Sequence, residues 1–266
     1  MIREAVMKKA REPDLFAEER TARILRLVHE KRKVTVLELV KRFGVTGATV
    51  RADLRELERA GLLTRTHGGA IEKTKTGFEP RFADRQVQNL AAKQRIARRA
   101  LNLIDDGDTI LLDTGTTTLE LARLLEAKHR LTVVTNDLLI ALALEEMSSV
   151  QTILMGGMVR PGFHCSVGSR GHDVLAGLTV DKAFLGANGL TREKGATTPD
   201  IQQAQTKKAM MASAGKVILL CDHTKLGRVF LARFATVEQV DILVLDRGDE
   251  YAKPFAAAGV EVLTAD

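Results

Sequence analysis

Apolar residues fall into two regimes along the chain: helical spacing at the start, then short continuous runs that alternate with helical stretches. Thr21 to Arg32 carries Ile24, Leu27 and Val28 on one face and predicts a first helix. Thr35-Val-Leu-Glu38 opens a second. Its threonine hydroxyl can accept from one free N–H and its glutamate can reach back to another, as in a capping box. Leu37, Val40 and Phe43 then share a face, and Gly44 ends the helix because glycine takes the left-handed cap conformation. Thr46 caps a third helix starting at Gly47 or Ala48. Val50, Leu54 and Leu57 make its apolar stripe, while Ala48, Arg51, Ala52, Arg55 and Arg59 point away from it. Leu62 to Ile71 reads as a hairpin turning at Gly68-Gly69.

Glu72 to Pro80 is polar and rich in turn formers, the composition of a linker. Gln88 to Ile104 predicts a long helix with Ile96, Ala100, Leu103 and Ile104 inward. From Asp105 the pattern changes. Apolar runs fall at Thr109–Asp113, Leu131–Asn136, Val150–Met155, Lys182–Ala187, Lys216–Asp222, Asp241–Leu245 and Val260–Leu263. Helical stretches such as Leu119–Ala127, Leu138–Glu146 and Ile201–Ala214 separate them. Near-continuous apolar strands alternating with helices imply an α/β domain with a parallel or mostly parallel, doubly wound sheet covered on both faces. The expected organisation is an N-terminal extension (1–20), a winged helix-turn-helix (21–72), a linker (73–87) and an α/β domain (88–266).

Charge sharpens the division. The chain has 266 residues and a formal charge of +6. Met1 to Leu90 holds 20 Lys and Arg against 13 Asp and Glu, a net of +7; Ala91 to Asp266 holds 20 against 21, a net of −1. A basic module joined to a near-neutral one is the electrostatic footprint of a nucleic-acid binder with a second task. An amphipathic helix after a tight turn, small at its start and arginine-bearing outside, suits a DNA major groove. Thr46, Gly47, Ala48, Thr49, Arg51, Ala52 and Arg55 are the candidate contacts, and Arg65 and His67 on the hairpin can lie against phosphates or a minor groove. A solvated basic helix pair is the plainer reading, and the hairpin tips the balance against it. With Trp absent and one Tyr, stacking on single strands is not the expected mode.

Cys165 and Cys221 suggest neither a disulfide framework nor a metal cluster. No apolar run approaches a membrane span and the N-terminus lacks a signal-peptide core, so a cytoplasmic protein without metal or cofactor is expected.

The strand ends carry the remaining chemistry. Asp113-Thr114-Gly115-Thr116-Thr117-Thr118 runs from a strand into a helix, where backbone approach, hydroxyls and free N–H groups suit a phosphate monoester. A plain threonine cap is the structural alternative. No G-x-x-x-x-G-K-[ST] is present, so nucleotide hydrolysis is not indicated. Other strands end in Thr135-Asn136, Gly156-Gly157, Asn188 and Asp222-His223-Thr224-Lys225. Lys225 and Lys207 are candidate counter-charges for phosphate; Asp113, Asn136 and Asp222 are candidate acceptors for sugar hydroxyls.

Val45 to Leu54, then Leu57-Glu58, Gly61, Arg65 and His67-Gly68-Gly69-Ala70, resemble the N-terminal domain of the DeoR family of bacterial sugar-metabolism repressors. Two positions depart from its pattern: Thr46 stands for the usual serine and Ala52 for a second basic residue. The second half resembles the DeoR effector domain, related to ribose-5-phosphate isomerase, through Asp113–Thr117, Val134–Asn136, Gly156-Gly157 and Asp222–Lys225. The resemblance spans Thr21 to Leu245. It implies a repressor of a sugar-catabolism operon that binds a double-stranded operator, as a homo-oligomer (dimer or tetramer), under control of a sugar phosphate. The competing reading is a sugar-phosphate isomerase with a DNA-binding appendage, using Asp113, Asp222 and Lys225 for proton transfer and carbonyl polarisation.

Overall fold

The computed structural model describes residues 16–31, 33–60, 62–66, 68–72, 76–248 and 252–265. They belong to two compact units, divided between Lys75 and Thr76.

The first unit runs α1 (Ala17–Lys31), β1 (Lys33–Thr35), α2 (Val36–Phe43), α3 (Gly47–Arg59), β2 (Leu63–Thr66) and β3 (Gly69–Glu72). Its strands pair antiparallel in the order β1-β3-β2. Ile24, Leu27 and Val28 of α1 pack with Leu39, Phe43, Val50, Leu54 and Leu57 into one apolar core. Gly44 ends α2 at φ +69°, with its N–H on the Val40 carbonyl at 3.0 Å. Gly69 lies where a Cβ would stand 2.0 Å from the Val34 carbonyl oxygen, so the middle strand can approach β1 only without a side chain.

Two expectations for α2 change. The Thr35 hydroxyl does accept the Glu38 N–H, at 3.2 Å, but the Glu38 carboxylate pairs with Lys31, so only half of the capping box forms. Leu39 rather than Leu37 is buried, and Leu37 is 65% exposed. The stripe that packs on the core is Val36, Leu39, Val40 and Phe43, at i, i+3, i+4 and i+7, and Leu37 lies off it. Val34 enters the same core from β1, a strand that apolar spacing did not reveal.

Arg20 on α1 grips Asp53 on α3 through two hydrogen bonds, Nε–Oδ2 at 2.7 Å and Nη2–Oδ1 at 3.0 Å. The pair is nearly buried, at 11% and 7% side-chain exposure. A bidentate guanidinium–carboxylate contact fixes orientation as well as distance.

The second unit opens with α4 (Phe82–Val87) and α5 (Leu90–Leu101), then β4 (Thr109–Leu112), α6 (Thr116–Ala122), β5 (Leu131–Thr135), α7 (Leu138–Glu145) and β6 (Val150–Leu154). A hairpin of β7 (Met158–Arg160) and β8 (Cys165–Val167) leads through α8 (Ser169–Ala176) to β9 (Val180–Gly186). There follow β10 (Gly189–Thr191), β11 (Gly195–Thr198), α9 (Ile201–Ala212), β12 (Ala214–Cys221), β13 (Ala232–Ala235), β14 (Ile242–Leu245), α10 (Lys253–Ala256) and β15 (Glu261–Thr264).

All seven apolar runs become strands of one sheet, ordered β15-β14-β12-β9-β4-β5-β6 and parallel at every pairing. Leu111, Leu185 and Leu219 enter the core on one face; Ile110, Leu112, Phe184 and Ile218 enter that on the other. Strand order reverses between β4 and β9. In such sheets the crevice beyond the strands' carboxyl ends at that reversal is where ligands bind.

Three features lay outside the sequence reading. The helix expected over Gln88–Ile104 is broken before Leu90 by Asn89, at φ +52°. The stretch expected as linker carries α4, with Phe82 3% exposed. The short strands β7, β8, β10, β11 and β13 form two small antiparallel sheets.

Replacing Asp53 by alanine removes the carboxylate that the nearly buried Arg20 guanidinium grips. Breaking such a pair is expected to cost about 3 kcal/mol. Hydrogen exchange should accelerate in α1 and α3 of the full chain while the seven-stranded sheet is unaffected; unchanged exchange in α1 and α3 would refute this.

Candidate functional site

In the first unit the candidate DNA face is the outer side of α3. The Thr46 hydroxyl accepts the Thr49 N–H at 3.2 Å and lies 2.9 Å from the Thr49 hydroxyl. Ala48, Arg51, Ala52, Arg55 and Arg59 are exposed, while Gly47 and Thr49 are half-buried. Arg65 on β2 is held by Glu58, which accepts its N–H at 2.9 Å and pairs with its guanidinium at 3.7 Å. His67 lies outside the described residues.

In the second unit a pocket opens at the strand-order reversal, between the carboxyl ends of β4, β9 and β12. Thr114 to Thr118 line one side, Gly186 to Asn188 another, and Asp222 and Lys225 a third. Lys225 stands on a short 3-10 turn, His223–Lys225, whose first N–H groups are capped from Asp222 and Asp246. Lys93 reaches in from α5 and donates to the carbonyls of Arg85 and Gln88. Burial, together with the nearby Lys225 charge, lowers its pKa to about 8, with Asp222 acting in the opposite sense. Burial pushes the Asp222 carboxyl up, but Lys225 and the Thr224 hydrogen bonds outweigh it and hold the group below the usual carboxylate range.

The opposite side is built by Glu79, Arg85, Arg160 and Phe163. Glu79 pairs with Arg85 at 3.3 Å and Arg160 at 3.1 Å, and accepts from Asn188 at 3.4 Å. Arg160 also pairs with Asp200 at 3.2 Å and lies 4.1 Å over the Phe163 ring. Deeper in, the Gln203 amide nitrogen lies 2.9 Å from the Cys165 sulfur, while Gln203 Oε1 is buried without a partner. Burial pushes the Cys165 thiol above its ordinary pKa, so it is a poor nucleophile here.

At the base, Lys207 of α9 forms a buried ion pair with Asp113 and donates to the Gly186 carbonyl at 3.0 Å. The same Asp113 oxygen accepts the Gly186 N–H at 3.0 Å.

Of the residues expected to hold an effector, Gly115, Thr116, Thr117, Thr118, Asn188, Lys207, Asp222 and Lys225 line the pocket. Asp113, Thr135, Asn136, Gly156 and Gly157 do not. Asp113 is fully buried beneath it and engaged by Lys207. Thr135 and Asn136 end β5, one strand from the reversal, where their side chains donate to the Leu112 and Ser166 carbonyls at 2.7 and 2.8 Å. Gly157 has φ +135°, and a Cβ there would stand 2.4 Å from the Val167 carbonyl oxygen, so it serves the packing of the β7–β8 hairpin. The sequence reading missed Glu79, Arg85, Gln88, Asn89, Lys93, Arg160, Phe163, Cys165 and Gln203. Lys93 alone carried a local signal: it is a lysine on the stripe of Ile96, Ala97 and Ala100.

A family model described as the DeoR C-terminal sensor domain matches residues 88–247, and one described as the DeoR-like helix-turn-helix domain matches residues 20–76. The chain belongs to the DeoR family of transcriptional regulators. The HTH-type transcriptional regulator GlpR of Haloferax volcanii is 38% identical over 86% of this chain and 89% of its own. The putative aga operon transcriptional repressor of Escherichia coli O157:H7 is 30% identical over 92% and 93%. Among solved structures, ribose 5-phosphate isomerase A of Methanocaldococcus jannaschii matches at 19% identity and a TM-score of 0.40, over 52% of this chain and 55% of that one. No helix among the described residues is long and apolar enough to cross a membrane.

In this DeoR-family sensor the Asp113–Lys207 pair is the structural floor. Asp113→Ala strands the Lys207 ammonium at 4% exposure. A loss of about 3–5 kcal/mol in urea unfolding is expected; a loss below about 1 kcal/mol would contradict a buried, paired charge.

Proposed function

We propose that this DeoR-family chain is a sequence-specific repressor of a sugar-catabolism operon, that it binds its operator through α3, and that its pocket takes a phosphorylated sugar. The observation that carries the effector reading is the meeting of Lys93 and Lys225 beside the Thr114–Thr118 loop. Two ammonium groups facing one cavity repel each other, and a phosphate dianion relieves that repulsion. Threonine hydroxyls and backbone N–H groups add donors for its oxygens. Across the pocket, Glu79, Asn188 and Gln203 offer partners for sugar hydroxyls. The name of the Escherichia coli relative supports repression rather than activation.

We read the pocket as non-catalytic. An isomerase needs a carboxylate free to move a proton between carbons. Asp113 is engaged by Lys207, Asp222 by Thr224, and Glu79 by two arginines. Incubation with sugar phosphates should give no isomerised product; turnover would overturn this.

The DNA reading places Arg51 and Arg55 on the operator, with two copies of the chain in the cytoplasm engaging paired half-sites. An Arg51→Ala, Arg55→Ala double variant is expected to lose roughly 1–3 kcal/mol for each base-reading arginine, or to flatten the salt dependence by about one for each phosphate contact. Unchanged affinity and slope in a folded double variant would remove α3 from the interface.

The effector reading has a pH signature. A phosphate monoester gains its second charge above about pH 6, and Lys93 loses its charge above about pH 8. Affinity should be greatest between these limits and fall on both sides, with proton uptake on binding near the upper one. Lys93→Met should bind about tenfold more weakly at neutral pH and lose the alkaline decline, since 1.4 kcal/mol is a factor of ten. Lys225→Ala should lose the operator response to the sugar phosphate. Calorimetric titration against pH measures the first and a DNA-binding titration the second; an alkaline decline that persists in Lys93→Met would reassign it.

A further inference from the structure

We propose that the segment from Thr76 to Asn89 is both a wall of the effector pocket and the element through which the effector acts on DNA binding, with Glu79 and Arg85 reading a hydroxyl of the bound sugar phosphate. The proposal rests on the phosphosugar reading of the pocket.

In sequence this segment joins the DNA-binding unit to the sensor, and four of its residues, Glu79, Arg85, Gln88 and Asn89, line the pocket. Its attachment to the sensor is mostly polar. The Thr76 carbonyl accepts from Leu231 at 3.0 Å and the Phe82 N–H donates to Gly162 at 3.2 Å. Phe82 is buried and meets His164 edge-on at 5.2 Å, whereas Phe78 and Val87 are 48% and 74% exposed. A segment with few buried apolar anchors belongs to the low-stability part of a fold and is open to control by a ligand.

Glu79 is the hinge of the recognition. A carboxylate offers about four acceptor sites, and Arg85, Arg160 and Asn188 occupy three. Arg85 Nε is a buried donor without a partner. One remaining acceptor beside one unused donor suits a hydroxyl, which donates and accepts at once. A sugar phosphate anchored at Lys93 and Lys225 and hydrogen-bonded to Glu79 and Arg85 spans the sheet and the segment together. It therefore binds more tightly where the segment is seated. By linkage it favours the seated arrangement by the same factor. Inorganic phosphate fills the lysine end and meets the segment only through the bonds of Lys93 to the Arg85 and Gln88 carbonyls, without the Glu79 and Arg85 contacts.

The test is hydrogen exchange in residues 76–89 of the full chain, with a panel of ribose, fructose, galactose and amino-sugar phosphates and inorganic phosphate as control. A binding sugar phosphate, found by thermal shift, should slow exchange in 76–89 by at least roughly fivefold, the low end of ordinary couplings. Inorganic phosphate should slow it by clearly less. Glu79→Ala should keep a smaller thermal shift with that sugar phosphate, through Lys93 and Lys225, while losing both the protection and the change in operator affinity. Should Glu79→Ala fail to fold, Arg160→Gln breaks the same ion pair from the β7 side and carries the same expectation. A sugar phosphate that binds without slowing exchange, equal protection by inorganic phosphate, or a normal response in the variants overturns this inference and leaves the phosphosugar reading standing. A panel in which nothing binds overturns both.

Discussion

The architecture of the sensor turns on one buried ion pair at the point where its strand order reverses. At a reversal, two neighbouring parallel strands send their chains to opposite faces, and their carboxyl ends part. Something must hold the floor of that gap. Asp113 does so from the end of β4: its N–H donates to Phe184 at 3.1 Å and its carboxylate takes the Gly186 N–H of β9. Lys207 neutralises the carboxylate and ties both strands to α9. The cost of burying the charges is offset because each charge meets the other and the backbone. Side chains above that floor can then belong to the ligand.

The same constraint sorts the polar residues at the strand ends. Above Asp113, those beside the reversal, on β4, β9 and β12, line the pocket. On β5 Asn136 donates to the β7–β8 hairpin and Thr135 to the Leu112 carbonyl of β4, and the hairpin's Ser166 donates to the Met155 carbonyl after β6. Residue type alone could not separate the groups. Asn136 and Asn188 are the same side chain at the ends of two strands, and only Asn188 reaches the pocket.

Much of the fold was legible because its signals are local. Seven apolar runs gave seven strands, and Thr46 and Gly44 marked helix ends by chemistry that acts within one turn. What stayed hidden depends on distant partners. Nothing near Leu37 in sequence announces β1, whose pairing with β3 joins Val34 to Ala70. Strand order is likewise a non-local property, so the pocket's place was not readable from the runs themselves. Glu79 and Arg85 sat in polar, turn-rich sequence; the ion pair of Glu79 with Arg160 exists only once the β7–β8 hairpin has folded against it. Asp53 was visible as part of a motif, but its task, gripping Arg20 from the next helix, appears only in three dimensions.

The pocket draws residues from Glu79 to Lys225, whereas the DNA-binding unit's last strand ends at Glu72. During synthesis the reading head is therefore complete long before its sensor. At about 5–20 residues per second, the ribosome needs roughly 8–30 s to extend from the end of the wing to Lys225. Each new copy passes through an interval in which its DNA-binding unit has been made and its pocket has not.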